Sequence, residues 1–125
     1  MVKANKIIIY TDGGARGNPG PAGIGVVIKS LSYKVTKSLS EGKVIKTHNE
    51  YIGETTNNQA EYKAVIKGLE LARELKASEI ELKIDSELVA SQLREEYKVK
   101  NKDLAPLFVK AWNLLQSFKK YKITH

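Results

Sequence analysis

The stretch Asn57 to Lys76 constrains the fold more than any other part of the chain. Wound at about 100° per residue, it sets Ala64, Val65, Gly68, Ala72 and Leu75 within roughly 60° of Glu61, with Lys63, Lys67, Glu70 and Glu74 on the far side. An amphipathic helix of this length suits a crossover between parallel strands. Strand-like runs precede it at Lys6 to Asp12, Ile24 to Ser30 and within Val44 to Ile52, the last following a turn near Glu41-Gly42. Asp12 to Gly23, with Pro19 and Pro21, reads as a turn-rich loop. Downstream the pattern predicts a strand at Glu79 to Asp85, a short helix at Glu87 to Glu95, a longer helix at Asp103 to Lys120 and a last strand beginning at Tyr121 to Thr124. Strands first and strand–helix alternation afterwards describe an α/β chain, a mixed sheet with helices packed on it.

A chain of 125 residues is enough for one domain with a real core. The absence of cysteine excludes disulfides and thiolate zinc sites, and His48 and His125 are too far apart in sequence to suggest an imidazole centre. No apolar run approaches the roughly 20 residues that span a bilayer. The polar start, Met1 to Lys6, runs straight into Ile7-Ile8-Ile9, which is a strand and not a signal peptide. The expected setting is the cytoplasm, without membrane attachment, and the expected state a monomer. A net charge of +7 favours polyanionic partners, nucleic acid above all. Many lysine-rich proteins bind no polyanion, so charge alone decides nothing.

Three acids stand in unusual places. Asp12 ends the run Ile7-Ile8-Ile9-Tyr10 and precedes Gly13-Gly14. A strand this apolar is expected to be buried on both faces, and an acid at its carboxyl end sits where open α/β sheets place ligands. A plain Asp-Gly turn accounts for it equally well. Glu61 lies in the middle of an apolar helix face, costly unless a cation meets it or the helix start frays into solvent. Asp85 ends Ile80-Glu81-Leu82-Lys83-Ile84 and precedes Ser86, where capping the next helix is a sufficient role. If the strands of Asp12 and Asp85 are adjacent and parallel, the three carboxylates converge and repel unless a divalent cation neutralises them. Hard oxygen donors point to magnesium or manganese. Thr56 and Gln59 fit a capping box for the crossover helix, which leaves Asn57 and Asn58 unexplained.

Taken together, Tyr10-Thr11-Asp12-Gly13-Gly14-Ala15-Arg16-Gly17-Asn18-Pro19-Gly20-Pro21-Ala22-Gly23, then Thr56-Asn57-Asn58-Gln59-Ala60-Glu61, then Asp85-Ser86-Glu87-Leu88-Val89, resemble the cellular type-one ribonuclease H family in order, local sequence and spacing. The resemblance covers nearly the whole chain. It implies a ribonuclease H-like fold, a five-stranded mixed sheet in the order 3-2-1-4-5 with helices on both faces. It implies hydrolysis of the RNA strand of RNA–DNA hybrids with two Mg²⁺ ions, Mn²⁺ being an alternative, and leaves double-stranded RNA open as a second substrate. Asp12, Glu61 and Asp85 would be catalytic carboxylates and metal ligands, joined by the backbone of Gly13. Gly14, Asn18, Asn58 and Gln59 would line the substrate, Asn18 and Asn58 at ribose hydroxyls. Thr56 and Asn57, at a helix N-terminus, would hold a DNA phosphate. Glu87 stands where relatives often carry Gln, and an acid accepts a hydrogen bond but does not donate one.

Two departures matter. Where many bacterial relatives carry a basic helical protrusion, this chain has only Tyr97-Lys98-Val99-Lys100-Asn101-Lys102. Tyr97, Lys98, Lys100 and Lys102 are either a substrate-facing edge or a solvated linker. The family's last strand is followed, about ten positions on, by a fourth acid that completes the carboxylate set. Here Lys122-Ile123-Thr124-His125 matches that strand, with His125 as the strand-end residue. The expectation is a single domain over residues 1–125, truncated early in strand five, whose gene encodes an Asp further on. A nucleic-acid-binding module that does not cut is the alternative. Trp112 is expected in the core.

Overall fold

Ile7 and Ile9 lie side by side with Ile80 and Leu82, and all four are buried in one cluster. This cluster is the joint between two parallel strands, and the rest of the molecule is arranged around it. The computed structural model describes residues 6–33 and 39–125. Its elements are β1 (Lys6–Ala15), β2 (Gly20–Tyr33), β3 (Leu39–Thr55), α1 (Asn57–Glu74), β4 (Glu79–Ile84), α2 (Glu87–Leu93), α3 (Ala105–Leu115) and β5 (Lys120–Thr124). They form one five-stranded sheet in the order β3-β2-β1-β4-β5. β1, β2 and β3 make an antiparallel meander, while β4 joins β1, and β5 joins β4, in parallel. This is the sheet expected from the sequence.

Alternation sorts the side chains. Ile7 and Ile9 of β1, Val26 and Ile28 of β2, and Ile80, Leu82 and Ile84 of β4 share a core with Val65 and Leu69 of α1, Val89 and Leu93 of α2, and Leu114 and Leu115 of α3. Gly68 lets α1 sit close on β1, since a Cβ there would stand 2.9 Å from Ile9 Cγ2. Tyr62 is fully buried and donates its hydroxyl to Gln92 Oε1 at 2.5 Å, tying α1 to α2. Burial raises the Tyr62 phenol well above its ordinary pKa.

Helices on both faces were expected. Among the described residues, all three helices contribute to this one core. The opposite face carries Ile8, which is buried, and a polar group around Tyr10. Lys29 and Lys83 stand over the Tyr10 ring at 5.6 and 5.8 Å from its centroid. The Tyr10 phenol is pushed up to about 12, first by its hydrogen bond with Glu41 and then by burial.

Several boundaries differ from the sequence reading. The segment expected as a loop from Asp12 to Gly23 is mostly strand, with Gly13, Gly14 and Ala15 paired to Ile24, Gly23 and Ala22. Glycine and proline read as breakers, yet the paired backbones supply each other's hydrogen bonds. The turn that remains is closed by the Arg16 N–H donating to the Pro21 carbonyl at 2.8 Å, with Gly17 at φ 89°. Glu41 and Gly42 lie inside β3, so no turn stands there. The helix expected to reach Lys76 ends at Glu74, and Lys76 takes a left-handed φ of 60°. The helix expected over Asp103 to Lys120 is the shorter α3, and α2 ends at Leu93. Trp112 is half-buried and lies outside the core cluster.

Candidate active site

β1 and β4 are parallel neighbours, and β4 ends opposite Thr11, one residue before Asp12. Thr11 pairs with Ile84, and the Asp85 N–H donates to the Thr11 carbonyl at 3.3 Å. This sets Asp85 beside Asp12, as the sequence required for convergence. Both are exposed, so the expectation that the β1 strand is buried on both faces fails at Asp12. The third acid arrives with α1. Gly13 is buried, and a Cβ there would stand 2.3 Å from the Ala60 carbonyl oxygen and 2.7 Å from the Glu61 amide nitrogen. Only a glycine lets β1 pass this close to the first turns of α1, and the contact brings Glu61 next to Asp12.

The three carboxylates feel one another. The Asp12 carboxyl is raised above its ordinary pKa by burial first, then by the charge of Asp85 and a hydrogen bond with it. Glu61, half-buried, is raised mainly by burial and further by the charges of Asp85 and Asp12, while a hydrogen bond with Ser86 opposes the rise. Among the described residues, no three Asp, Glu, His or Cys side chains form a finished metal cage. The three acids are within electrostatic reach of one another and outside joint coordination range. Three hard oxygen donors brought together in this way fit a divalent cation.

The N-terminus of α1 is tied to the β1–β2 turn. The Asn57 N–H donates to Asn18 Oδ1 at 3.1 Å, and Asn57 Oδ1 accepts from the Ala15 N–H at 3.1 Å. Asn18 thus fastens the loop, an arrangement its place in the motif did not reveal. Thr56 and Gln59 form the expected capping box, each side-chain oxygen accepting the other residue's N–H at 3.2 Å. The Thr55 hydroxyl also donates to Gln59 Oε1. Asn58 is half-buried and Gly14 borders Asn57. Glu87 is exposed in the first turn of α2, after the Ser86 cap, whose hydroxyl accepts from the Val89 N–H at 3.2 Å.

Two cavities open beside the acids. A groove of about 900 Å³ runs from Asp12 past Gly14, Arg16 and Asn57 to Asn49 and Tyr51 of β3. A smaller one, about 400 Å³, lies between Asp12, Asp85, Lys83 and His125. Tyr97, Lys98, Lys100 and Lys102 are exposed on the irregular segment between α2 and α3 and line neither cavity. Val99 turns inward onto the core, so the lysines that flank it face solvent. The sequence reading missed Arg16, Asn49 and Tyr51. A register across three strands was needed to bring β3 to the site.

The family model described as "Reverse transcriptase-like" matches residues 10–125. The chain is 42% identical over 115 residues to the bifunctional protein Rv2228c of Mycobacterium tuberculosis, covering 92% of this chain and 29% of that protein. It is 38% identical over 123 residues to ribonuclease HI of Halobacterium salinarum, covering 98% of this chain and 57% of that enzyme. The chain therefore spans well under two thirds of these relatives' length. The crystal structure of the Halobacterium salinarum RNase H1 superposes with a TM-score of 0.85 at 39% identity, over 96% of this chain and 84% of that one. LC11-RNase H1 in complex with an RNA/DNA hybrid superposes with a TM-score of 0.80 at 42% identity, over 95% of this chain and 83% of that one. On sequence, fold and site together, the chain belongs to the ribonuclease H family.

Proposed function

We propose that this chain is an endonuclease that hydrolyses the RNA strand of RNA–DNA hybrids at a pair of divalent metal ions, Mg²⁺ by preference and Mn²⁺ as a substitute. The observation that carries the reading is the convergence of Asp12, Asp85 and Glu61 where β1, β4 and the start of α1 meet. Two bound cations roughly 4 Å apart would supply Lewis acidity to the attacking water and to the departing 3′-oxygen, leaving a 5′-phosphate and a 3′-hydroxyl. Asp12 would be one of the residues that hold the cations. Asp85 and Glu61 would each hold one side, with the Gly13 backbone beside them. A fourth carboxylate, put by the resemblance beyond the β5 match, would complete the set. LC11-RNase H1, solved with a hybrid, supports the choice of substrate.

In this reading the chain's own residues position the strand to be cut. Asn18 and Asn58 meet ribose hydroxyls, which distinguishes RNA from DNA. Thr56, Asn57 and the start of α1 receive a phosphate of the DNA strand. Double-stranded RNA shares the hydroxyls and the A-form shape and is the second substrate to test. The proposed setting is the cytoplasm and the proposed state a monomer. No described helix is long and apolar enough to cross a membrane.

A second reading has the chain bind hybrid without cutting it. The three converged acids are one short of the four carboxylates that the resemblance implies, which favours it. One experiment separates the two: incubate an end-labelled hybrid with the chain in Mg²⁺ and in EDTA, and measure binding in parallel. Cleavage of the RNA strand in Mg²⁺ alone supports the nuclease. Binding without cleavage, also after the chain is extended to carry a fourth acid, supports the binding module.

A further inference from the structure

We propose that Asn49 and Tyr51 of β3 form the far wall of the substrate groove and contact the RNA strand, Asn49 at a ribose hydroxyl and Tyr51 with its ring against the sugar of a neighbouring nucleotide. This rests on the hybrid-cleavage reading and extends it to residues outside the three motifs. The groove that starts at Asp12 ends at these two side chains, so a strand lying on Asp12 continues across them.

The register explains the shape. Asp12 pairs with Gly25, which pairs with Asn49, and Gly14 pairs with Gly23, which pairs with Tyr51. Each row thus runs from β1 to β3 across a residue with no side chain. Adjacent strands lie about 4.8 Å apart, so Asn49 stands about 10 Å from Asp12. The Asn49 carboxamide leans inward, since a Cβ added to Gly25 would stand 3.3 Å from its Oδ1. It therefore points along the row toward β1, with a donor and an acceptor to offer.

Tyr51 is 68% exposed, the most exposed large hydrophobic side chain among the described residues. A ring held in water at the rim of a polar groove has lost the usual reason to be aromatic in a strand. Ile52 is the unpaired residue of a bulge, between the pairs Ala22–Gly53 and Gly23–Tyr51, and Gly53 takes φ 84°. Bulges of this kind re-aim neighbouring side chains next to active sites. Glu50, which also borders the groove, has its carboxylate held by His48 at 2.8 Å.

The test uses a fluorescein-labelled RNA–DNA hybrid, with Kd from anisotropy in EDTA and KM and kcat in Mg²⁺. Tyr51→Ala should raise Kd and KM about tenfold, on the scale of one lost aromatic contact. Its kcat should stay within about twofold and Tyr51→Phe should restore binding, because the ring makes the contact. For Asn49, hybrids carrying a single 2′-deoxynucleotide at successive RNA positions are compared. One position should weaken the unmodified protein and have no further effect on Asn49→Ala. If the protein handles hybrid but Tyr51→Ala has the same Kd and KM, or no deoxy position is lost in Asn49→Ala, the wall assignment is wrong and the nuclease reading stands. If the unmodified chain neither binds nor cuts hybrid, both are wrong.

Discussion

Gly13 and Ala60 are in backbone contact: a Cβ on the glycine would stand 2.3 Å from the Ala60 carbonyl oxygen. The residue before Gly13 is Asp12 and the residue after Ala60 is Glu61. One close approach of strand and helix therefore sets the spacing between two of the acids. Gly13→Ala must push β1 and α1 apart. We expect a loss of about 1–3 kcal/mol in urea unfolding, as for other overpacked sites. Cleavage should fall by about a hundredfold, the scale on which small misplacements of reacting groups are felt. A variant with unchanged rate and unchanged stability would separate this contact from the site.

The acids should also leave a mark on stability. Asp12 and Glu61 are both raised in the folded chain, with burial the first cause in each. Above the usual carboxylate range and below the raised values, the folded state binds more protons than the unfolded state. Stability on this account falls as pH rises through that window. Glu41 and Glu50 are lowered, chiefly by hydrogen bonds with Tyr10 and His48, and pull the other way. The informative quantity is thus the difference between the unaltered chain and Asp12→Asn. In EDTA, the variant should gain melting temperature relative to the unaltered chain as pH rises through the window. Mg²⁺ should raise the melting temperature of the unaltered chain and have less effect on the variant. Parallel pH curves for the two proteins would mean that Asp12 is not under strain from its neighbours.

The sequence carried the central part of this site and not its edges. Glu61 stood out because a helix has a period, and its neighbours Ala64, Val65 and Gly68 are buried as that period requires. Asp85 was readable as a strand-end acid, Asp12 proved to lie within β1 and not at its end, and a crossover helix between them implied parallel neighbours. Gly13 to Ala15 were misread because glycine's local preference is for turns, while their strand state comes from pairing with Ala22 to Ile24. Asn49 and Tyr51 carried no local signal. Their closeness to Asp12 exists only once β2 lies between, and register between distant strands is not written in either strand alone. Asn18 was expected at a ribose, and its bond to Asn57 became visible only with the fold.

That bond allows its structural and recognition roles to be separated. Asn18→Asp keeps an acceptor for the Asn57 N–H and removes the side-chain donor. Stability should stay within about 0.5 kcal/mol, the range of a neutral surface change. The penalty for a single 2′-deoxynucleotide near the cut should shrink if Asn18 donates to that hydroxyl. Asn18→Ala should lose both the loop contact, about 1 kcal/mol, and the discrimination. Equal discrimination in all three proteins would leave Asn18 with the structural role only.

The lysines between α2 and α3 face solvent away from both cavities. Hybrid long enough to reach them should still feel their charge. Replacing Lys98, Lys100 and Lys102 together with Ala should flatten the log–log salt dependence of binding by about 2–3, at roughly 0.7–0.9 per phosphate contact. Tyr97→Ala, tested with the same long hybrid, reports on whether the ring beside them stacks. An unchanged slope would identify the segment as a solvated linker.

The account stands on three carboxylates acting together on a hybrid. The most direct measurement is the rate of RNA-strand cleavage in Mg²⁺ by the unaltered chain, Asp12→Asn, Glu61→Gln and Asp85→Asn, with folding checked by circular dichroism. The account expects cutting by the unaltered chain that stops in EDTA, and a loss of at least about a thousandfold in each folded variant, the scale of removing a group from a metal-assisted or electrostatic site. A folded Asp12→Asn that cuts hybrid at the unaltered rate would contradict it.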